Sequence, residues 1–216
     1  MSPGEPVVTG ARIHPSAILE HGVRIGPGTS VWDSVHIRHS ATIGEQCIIG
    51  EKSYIAYGVS IGDRVKINAF VYVCAGVTIE DGVMISAATT FTNDRFPRAT
   101  TPDLRRLRPS EPDDSTRPTL VREGATIGAG CTIGCDLTIG RFAMVGMGSL
   151  VTRSVGDFQL VLGSPARAVG AVCRCGQVVA RFAGGAREPR EAGCPACGLR
   201  YRIAGMQIAE LDPPVR

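Results

Sequence analysis

Four cysteines near the C-terminal end of the chain have the spacing of metal ligands. They form two pairs, Cys173-x-Cys175 and Cys194-x-x-Cys197, and glycine follows the second cysteine of each pair. Four thiolates and no histidine favour a closed structural zinc site, because a catalytic site keeps one position open for water or substrate. We therefore expect residues 171–216 to form a small zinc-ribbon-like module that holds a structural Zn.

A second group of candidate residues lies in the segment 86–120. This segment contains five prolines and many polar residues, which exclude a regular succession of strands. Its polar residues Asn93, Asp94, Arg95 and Arg98 surround Phe91 and Phe96. Because long loops in compact domains are usually functional, we expect this excursion to contact a ligand. The alternative is a surface insertion without a function.

An apolar repeat with a period of six residues must position these groups. Every sixth residue from position 13 to position 85 is Ile, Leu or Val, and the same phase resumes at position 121 after the excursion. The repeat positions are Ile13, Leu19, Ile25, Val31, Ile37, Ile43, Ile49, Ile55, Ile61, Ile67, Val73, Ile79 and Ile85, then Val121, Ile127, Ile133, Ile139, Val145 and Val151. Such regularity excludes a chance pattern.

A period of six fits neither an amphipathic helix nor an ordinary hairpin. It fits a short strand followed by a turn, repeated three times per coil, with one apolar side chain of each strand pointing inward. Parallel pairing between coils then satisfies the backbone polar groups. The sequence therefore predicts an all-β parallel β-helix over residues 1–170, with the excursion at 86–120.

Composition restricts the class of protein further. The formal net charge is only +3 and the cationic residues are spread along the chain, which is not typical of nucleic-acid binding. No apolar run is long enough to cross a membrane, and the N-terminal residues lack the basic and apolar regions of a signal peptide. The remaining cysteines, Cys47, Cys74, Cys131 and Cys135, lie among the repeats as small apolar residues. We expect a cytoplasmic protein with reduced thiols.

The repeat, the segment 77–100 and the closing segment 118–170 together resemble the left-handed β-helix acyltransferases. More narrowly, they resemble nucleotide-linked 3-amino-sugar N-acetyltransferases. The resemblance implies left-handed winding, a homotrimer with sites between subunits, and transfer of acetyl from acetyl-CoA to the amino group of a UDP- or dTDP-linked sugar. Family members often carry an Asn pair where this chain has Ala69 and Phe70. The resemblance therefore does not identify which sugar is the substrate.

The resemblance also implies roles for individual residues. Asn93 matches the residue that hydrogen-bonds the sugar amine, and His36 is a further catalytic candidate. Asp94, beside Asn93, either assists catalysis or only caps the loop, because Asp is common in turns. His36 is a natural general base near neutral pH, although a surface histidine is the alternative. Phe91, Arg95 and Arg98 are expected to bind the sugar nucleotide. The expected acetyl-CoA contacts are Gly146, Gly148, Ser149, Arg153 and Arg167.

Other functions are compatible with parts of this pattern. An acyltransferase of the same fold could act on another small amine or hydroxyl acceptor. A non-catalytic β-helix scaffold, with the zinc ribbon as a docking module, leaves the excursion without a role. A β-helix carbonic anhydrase needs three converging histidines, and the four histidines of this chain all lie between positions 14 and 39.

Overall fold

The structure is a computed structural model that describes residues 4–109, 116–182 and 189–214. Its secondary structure in these residues consists of strands, most of them two residues long. The strands of the coils are β1 (Val7–Val8), β2 (Arg12–Ile13), β3 (Ile18–Leu19), β4 (Arg24–Ile25), β5 (Ser30–Val31), β6 (His36–Ile37), β7 (Thr42–Ile43), β8 (Ile48–Ile49), β9 (Tyr54–Ile55), β10 (Ser60–Ile61), β11 (Lys66–Ile67), β12 (Tyr72–Val73), β13 (Val77–Ile79), β14 (Met84–Ile85), β15 (Thr90–Phe91), β16 (Thr119–Val121), β17 (Thr126–Ile127), β18 (Thr132–Ile133), β19 (Leu137–Ile139), β20 (Met144–Val145) and β21 (Leu150–Val151). No helix suited to crossing a bilayer occurs in the described residues.

These strands form the three faces of a triangular column. The first sheet contains β1, β4, β7, β10, β13, β16 and β19; the second begins with β2, β5, β8, β11, β14, β17 and β20; the third contains β3, β6, β9, β12, β15, β18 and β21. Pairing is parallel, and from β2 onward, outside the excursion, each residue lies beside the residue 18 positions further on, as Ile49 lies beside Ile67; β1 and β4 pair with an offset of 17. The predicted all-β parallel β-helix is confirmed, while its left-handed winding stays a prediction.

Three turns join the faces. We call the turn from the first to the second sheet the first corner, the turn from the second to the third sheet the second corner, and the turn from the third sheet to the next coil the third corner. Residues at one corner of successive coils lie above one another, because the strands on both sides keep the 18-residue register. Each coil therefore advances the chain by one strand spacing, about 4.8 Å.

The repeat positions fill the inside of the column. From Ile25 to Val151 they are at most 4% exposed, whereas Ile13 and Leu19 in the first coil are only half-buried. Close packing of the coils also dictates glycine at some corners. A side chain at Gly50 would place its Cβ 2.6 Å from the carbonyl carbon of Asn68 in the next coil.

The excursion is shorter than the sequence predicts. Residues 86–91 continue the coil, because Phe91 occupies the next repeat position and lies in β15, and the coil resumes with Thr119 in β16. The predicted range 86–120 was therefore wrong at both ends. Within the excursion, Thr100 and Leu107 form an isolated antiparallel bridge. Residues 110–115 of the predicted excursion lie outside the described residues.

The C-terminal part extends the second sheet and adds a small one. Strand β22 (Gln159–Gly163) pairs parallel to β20, and β23 (Ala166–Val172) and β24 (Val178–Arg181) follow in antiparallel order. The strands β25 (Arg190–Gly193), β26 (Arg200–Ala204) and β27 (Gln207–Glu210) form an antiparallel sheet. The boundary predicted at residue 170 falls inside β23, and residues 183–188 and 215–216 of the predicted module lie outside the described residues.

The antiparallel sheet packs on the last coils through aromatic side chains. Phe158 stacks on Phe142 with ring centroids 5.5 Å apart and contacts Tyr201 at 5.3 Å. Tyr201 on β26 is fully buried. The C-terminal strands therefore cover the end of the column.

Candidate active site and metal centre

Asn93 lies at the third corner, where the chain leaves the coil. Its backbone carbonyl accepts a hydrogen bond from the N–H of Arg117, which brings the returning chain beside it at 2.9 Å. Its side-chain Nδ2 donates to the carbonyl oxygen of Ala75 in the preceding coil at 3.2 Å. Asn93 is half-buried, and its amide oxygen is the polar atom that remains for a ligand.

Asp94 organises the start of the excursion. Its Oδ1 accepts a hydrogen bond from the N–H of Phe96 at 2.7 Å, and its Oδ2 lies 3.6 Å from Nη1 of Arg108. Arg108 in turn donates to the carbonyl oxygen of Phe96 at 3.1 Å. This is the geometry of an aspartate turn held by an ion pair. Both carboxylate oxygens of Asp94 are therefore engaged within the loop.

The three residues expected to bind substrate have different environments. Arg98 lines an open cleft of about 580 Å³ on the excursion, together with Thr100 and Arg108. Arg95 is exposed and its Nη2 lies 2.7 Å from Oδ2 of Asp136. The expectation for Phe91 is wrong: its side chain is 1% exposed and packs among the repeat residues, so it cannot contact a substrate.

His36 is distant from Asn93 within one chain. It lies on β6, and the third sheet runs from there through Tyr54 and Tyr72 to Thr90 on β15, next to the corner that carries Asn93. Three strand spacings separate His36 from Thr90, or about 14 Å. The structure therefore does not bring His36 and Asn93 together in one subunit.

A polar cluster fixes His36 instead. Oε1 of Glu20 lies 2.9 Å from Nε2 of His36 and 2.6 Å from Nε of Arg38, and Oε2 accepts the N–H of His39 at 3.0 Å. Arg38 also donates to the hydroxyl of Tyr54 at 2.8 Å. Burial alone would raise the pKa of Glu20, but these donors outweigh burial and lower the pKa to about 2.

The residues expected to contact acetyl-CoA lie at two corners. Gly146 and Gly148 are at the second corner of the coil that joins β20 to β21, and Gly148 is exposed with a φ of +69°. Arg153 follows β21 at the third corner, and Arg167 lies on β23; both side chains are exposed. Exposed cations and an open backbone at these places are compatible with contacts to phosphate and pantetheine groups.

Ser149 does not fit that role. Its side chain is 1% exposed, and its hydroxyl accepts a hydrogen bond from the N–H of Gly163 at 3.2 Å. Buried hydroxyls occur at the same corner of other coils, where Ser53 and Thr89 donate to backbone carbonyls. The expectation that Ser149 contacts acetyl-CoA was therefore wrong for its side chain, which holds the corner backbone.

The four predicted metal ligands converge. The Sγ atoms of Cys173, Cys175, Cys194 and Cys197 all lie within 4.8 Å of one another. Two pairs are closer: 3.3 Å separates Cys173 from Cys197, and 3.5 Å separates Cys175 from Cys194. Thiolates around one tetrahedral zinc lie about 3.8 Å apart, given Zn–S bonds of about 2.3 Å. The cluster therefore fits one ion with four sulfur ligands.

Neighbouring groups contact the thiols of this candidate metal site. Desolvation opposes ionisation of Cys194, but the N–H groups of Cys197 and Ala196 outweigh it and lower the pKa of Cys194 to about 6. The hydroxyl of Tyr201 donates to Sγ of Cys173 at 3.1 Å, and desolvation raises the pKa of Tyr201 so that this proton is retained. Tyr201 is not recognisable from the sequence, because its contact with Cys173 spans 28 positions.

A further cleft was also missed from the sequence. It has a volume of about 300 Å³, lies at the second corner, and is lined by Trp32, Ile48, Gly50, Glu51, Ile67, Asn68, Ala69 and Ala87. Trp32, Gly50 and Asn68 follow one another at intervals of 18 positions. That interval was a signal for this column, since it equals the length of one coil.

Comparison with known families agrees with the fold and the repeat. Residues 23–57 and 58–93 match the family described as bacterial transferase hexapeptide (six repeats). These residues form strands β4 to β15 of the column. The protein is thus a parallel β-helix built from hexapeptide repeats, and residues 23–93 carry the repeat of that transferase family.

One characterised relative and two solved structures are similar to this chain. The dTDP-3-amino-3,6-dideoxy-alpha-D-galactopyranose 3-N-acetyltransferase of Aneurinibacillus thermoaerophilus is 38% identical over 93 residues, which are 43% of this chain and 45% of the relative. AntD, an N-acyltransferase from Bacillus cereus in complex with dTDP and 3-hydroxybutyryl-CoA, superposes with a TM-score of 0.53 at 22% identity, over 80% of this chain and 86% of AntD.

A variant of AntD in complex with dTDP-4-amino-4,6-dideoxyglucose and coenzyme A gives a TM-score of 0.50 at 20% identity, over 78% of this chain and 84% of the variant. At these identities the two structures show a shared fold. The match to the Aneurinibacillus protein spans less than half the length of either chain.

Proposed function

We propose that this protein is an N-acetyltransferase that transfers acetyl from acetyl-CoA to the amino group of a nucleotide-linked amino sugar. The observation that carries the proposal is the 38% identity over 93 residues to a dTDP-3-amino-sugar 3-N-acetyltransferase. The half-buried amide of Asn93, placed where an arginine-rich excursion leaves a hexapeptide column, supports it independently.

The reaction needs positioning more than a strong base. The neutral amine nitrogen attacks the thioester carbonyl carbon, the C–S bond breaks, and the amine proton leaves with the CoA thiolate. The amide oxygen of Asn93 accepts a hydrogen bond from the amine and holds its lone pair toward the thioester. Asp94 keeps the adjoining turn in place through Phe96 and Arg108.

Asn93 and the glycines proposed for acetyl-CoA lie at different corners of the column, while Arg153 shares the third corner with Asn93. Asn93 is at the third corner, whereas Gly146 and Gly148 are at the second corner two coils further on. A second copy that presents its second corner to the third corner of the first copy completes the site. A homotrimer with sites between subunits, in which Arg153 and Arg167 meet the phosphates of CoA, is therefore part of the proposal.

In this proposal His36 is a structural residue of the column and has no catalytic role within one subunit. Its Nε2 is held by Glu20, and about 14 Å separates its strand from the coil of Asn93. Arg98, which lines the cleft on the excursion, is better placed for a sugar nucleotide than Arg95, which is paired with Asp136.

A structural zinc ion and a cytoplasmic location complete the proposal. Cys173, Cys175, Cys194 and Cys197 would hold the ion, and four thiolates leave no position for water, so the ion would stabilise the C-terminal strands. A reducing compartment keeps these thiols available for zinc.

The test is a panel of UDP- and dTDP-linked 3-amino and 4-amino sugars incubated with acetyl-CoA, with release of free thiol followed over time. We expect thiol release with at least one amino sugar and none with the corresponding hydroxyl sugars. Mass spectrometry should find the product heavier by one acetyl group. Thiol release that needs no amino sugar, or none with any member of the panel, would refute the proposal.

A further inference from the structure

The cleft at the second corner carries an inference that rests on the proposed function and deepens it. We propose that the cleft between Trp32 and Asn68 binds a nucleobase, stacked on the indole ring of Trp32. The base belongs either to the nucleotide of the sugar substrate or to the adenine of CoA. Neither the predicted substrate residues nor the predicted CoA residues line this cleft.

The spacing of the column gives the cleft the thickness of one aromatic ring. Strands β5, β8 and β11 are paired in register, so Trp32, Gly50 and Asn68 lie above one another at the turns that follow them. Two strand spacings, about 9.6 Å, separate the levels of Trp32 and Asn68. A planar ring needs about 3.5 Å on each side, and Gly50 has no side chain that would occupy the level between them.

Trp32 is held so that one face is directed toward the cleft. Arg12 lies over the indole with its Cζ 4.8 Å from the ring centroid, and Arg12 belongs to the preceding coil because β2 pairs with β5. Gly50 and the cleft belong to the following coil. The Trp32 side chain is 43% exposed, which is a large apolar surface for a ring fixed by a neighbouring guanidinium.

The wall of the cleft offers the groups that recognise the edge of a base. The backbone N–H of Asn68 donates to the carbonyl of Ile85, and its own carbonyl accepts the hydroxyl of Ser53. Its side-chain amide therefore adds one acceptor and two donors to this wall, and Glu51 adds a carboxylate. Ala69 and Ala87 contribute small apolar side chains to the same wall. A flat ring with polar edges is the ligand that these surfaces fit.

Intrinsic fluorescence tests the inference directly, because Trp32 is the only tryptophan in the sequence. The ligands are dTDP, UDP, CoA and ADP, with inorganic pyrophosphate and pantetheine as base-free controls. We expect saturable quenching by the ligand whose base stacks on Trp32 and no quenching by the controls. Quenching by dTDP or UDP identifies the sugar nucleotide as the source of the base, and quenching by CoA and ADP identifies adenine.

Variants make the test quantitative by calorimetry. Trp32→Ala should raise the Kd of the quenching ligand about tenfold, as expected for the loss of one base–aromatic stack, whereas Trp32→Phe should change it less than about threefold. Asn68→Ala should reduce the preference for one base over another. The matched control is Tyr72→Ala, which removes an aromatic side chain of 44% exposure from the third sheet and should leave the Kd unchanged.

The outcomes separate this inference from the proposed function. If calorimetry detects nucleotide and CoA binding but no ligand quenches Trp32, or if Trp32→Ala binds as the wild type does, the base lies elsewhere and only the inference is overturned. If neither nucleotides nor CoA bind to the wild-type protein, both the inference and the proposed function are overturned. Far-UV circular dichroism of each variant verifies that the column is intact.

Discussion

Nδ2 of Asn93 donates to the carbonyl oxygen of Ala75 at 3.2 Å, although the two residues are 18 positions apart. Both residues lie at the third corner, in successive coils. The contact therefore ties the residue proposed to hold the amine to the rigid column rather than to the excursion that follows it. With the nitrogen engaged, the amide oxygen keeps one orientation for the substrate.

Replacement of Asn93 tests this arrangement. Asn93→Ala should lower turnover about a hundredfold, a typical effect of removing one positioned hydrogen-bonding group. The Kd of CoA should stay within about twofold, because Asn93 is proposed to contact the sugar amine, whereas Gly146 and Gly148 are proposed to contact CoA. Steady-state kinetics and calorimetry measure the two quantities. Turnover at the wild-type level in this variant would remove Asn93 from the mechanism.

Two substitutions of Asp94 separate a loop-holding role from a catalytic one. Asp94→Asn keeps an oxygen that accepts the N–H of Phe96, whereas Asp94→Ala removes both contacts to the loop. If Asp94 holds the loop, Asp94→Asn should retain most of the turnover, and Asp94→Ala should raise KM and the rate of proteolysis within the excursion. An equal loss of turnover in the two variants would instead indicate proton transfer by the carboxylate.

The four-cysteine cluster predicts that the protein contains bound zinc. Cys194→Ser should lose bound zinc while the coils still fold, because the coils are held by their own parallel pairing. Metal analysis and far-UV circular dichroism measure the two effects. An unchanged zinc content would refute the four-cysteine site.

Tyr201 should influence the same centre without being a ligand. Tyr201→Phe keeps the ring between Phe158 and the antiparallel sheet but removes the hydrogen bond to Cys173. Loss of such a partner of a metal ligand typically lowers metal affinity by about tenfold to a hundredfold. Competition with a chromophoric chelator measures the affinity. Identical zinc affinity in Tyr201→Phe and wild type would show that the hydroxyl does not support the site.

The lowered pKa of Glu20 predicts that the stability of the fold depends on pH. Its pKa is lowered to about 2 in the folded protein, below the usual value near 4.5. The ionised carboxylate therefore stabilises the fold above about pH 4.5, and this contribution is lost as the pH falls toward 2. Urea unfolding between pH 2.5 and pH 6 should show a smaller loss of stability for Glu20→Gln than for wild type. Parallel curves for the two proteins would contradict the pKa shift.

The column was predictable because its determinant is local and repeated. Each coil needs one aliphatic side chain per strand, so a polar residue at a repeat position would stand out from the others. The repeat positions from Ile25 to Ile85 are all buried, as expected. The four cysteines were recognisable for a related reason, since ligand spacing within each pair is set by a short turn. In both cases the contact partners repeat or lie close in the sequence.

The incorrect predictions concern residue types that can serve either in internal packing or in ligand binding. The sequence predicts Phe91 as an aromatic contact for substrate, but Phe91 occupies the sixth position after Ile85 and fills the column as an aliphatic residue does. The family resemblance implies Ser149 as a CoA contact, yet its hydroxyl accepts a hydrogen bond from the N–H of Gly163. The period alone could have corrected Phe91, whereas the partner of Ser149 depends on how the final strands return.

By itself, the sequence determined the parallel β-helix, the cysteine cluster and the presence of an excursion, because spacing along the chain encodes each of them. Only the tertiary structure decided which side chains share a corner. It separated His36 from Asn93 by three coils, placed Tyr201 on Cys173, and formed a cleft between Trp32 and Asn68. The physical reason is that stacking of coils converts a distance of 18 positions into one of about 4.8 Å, while residues close in sequence are carried to different faces.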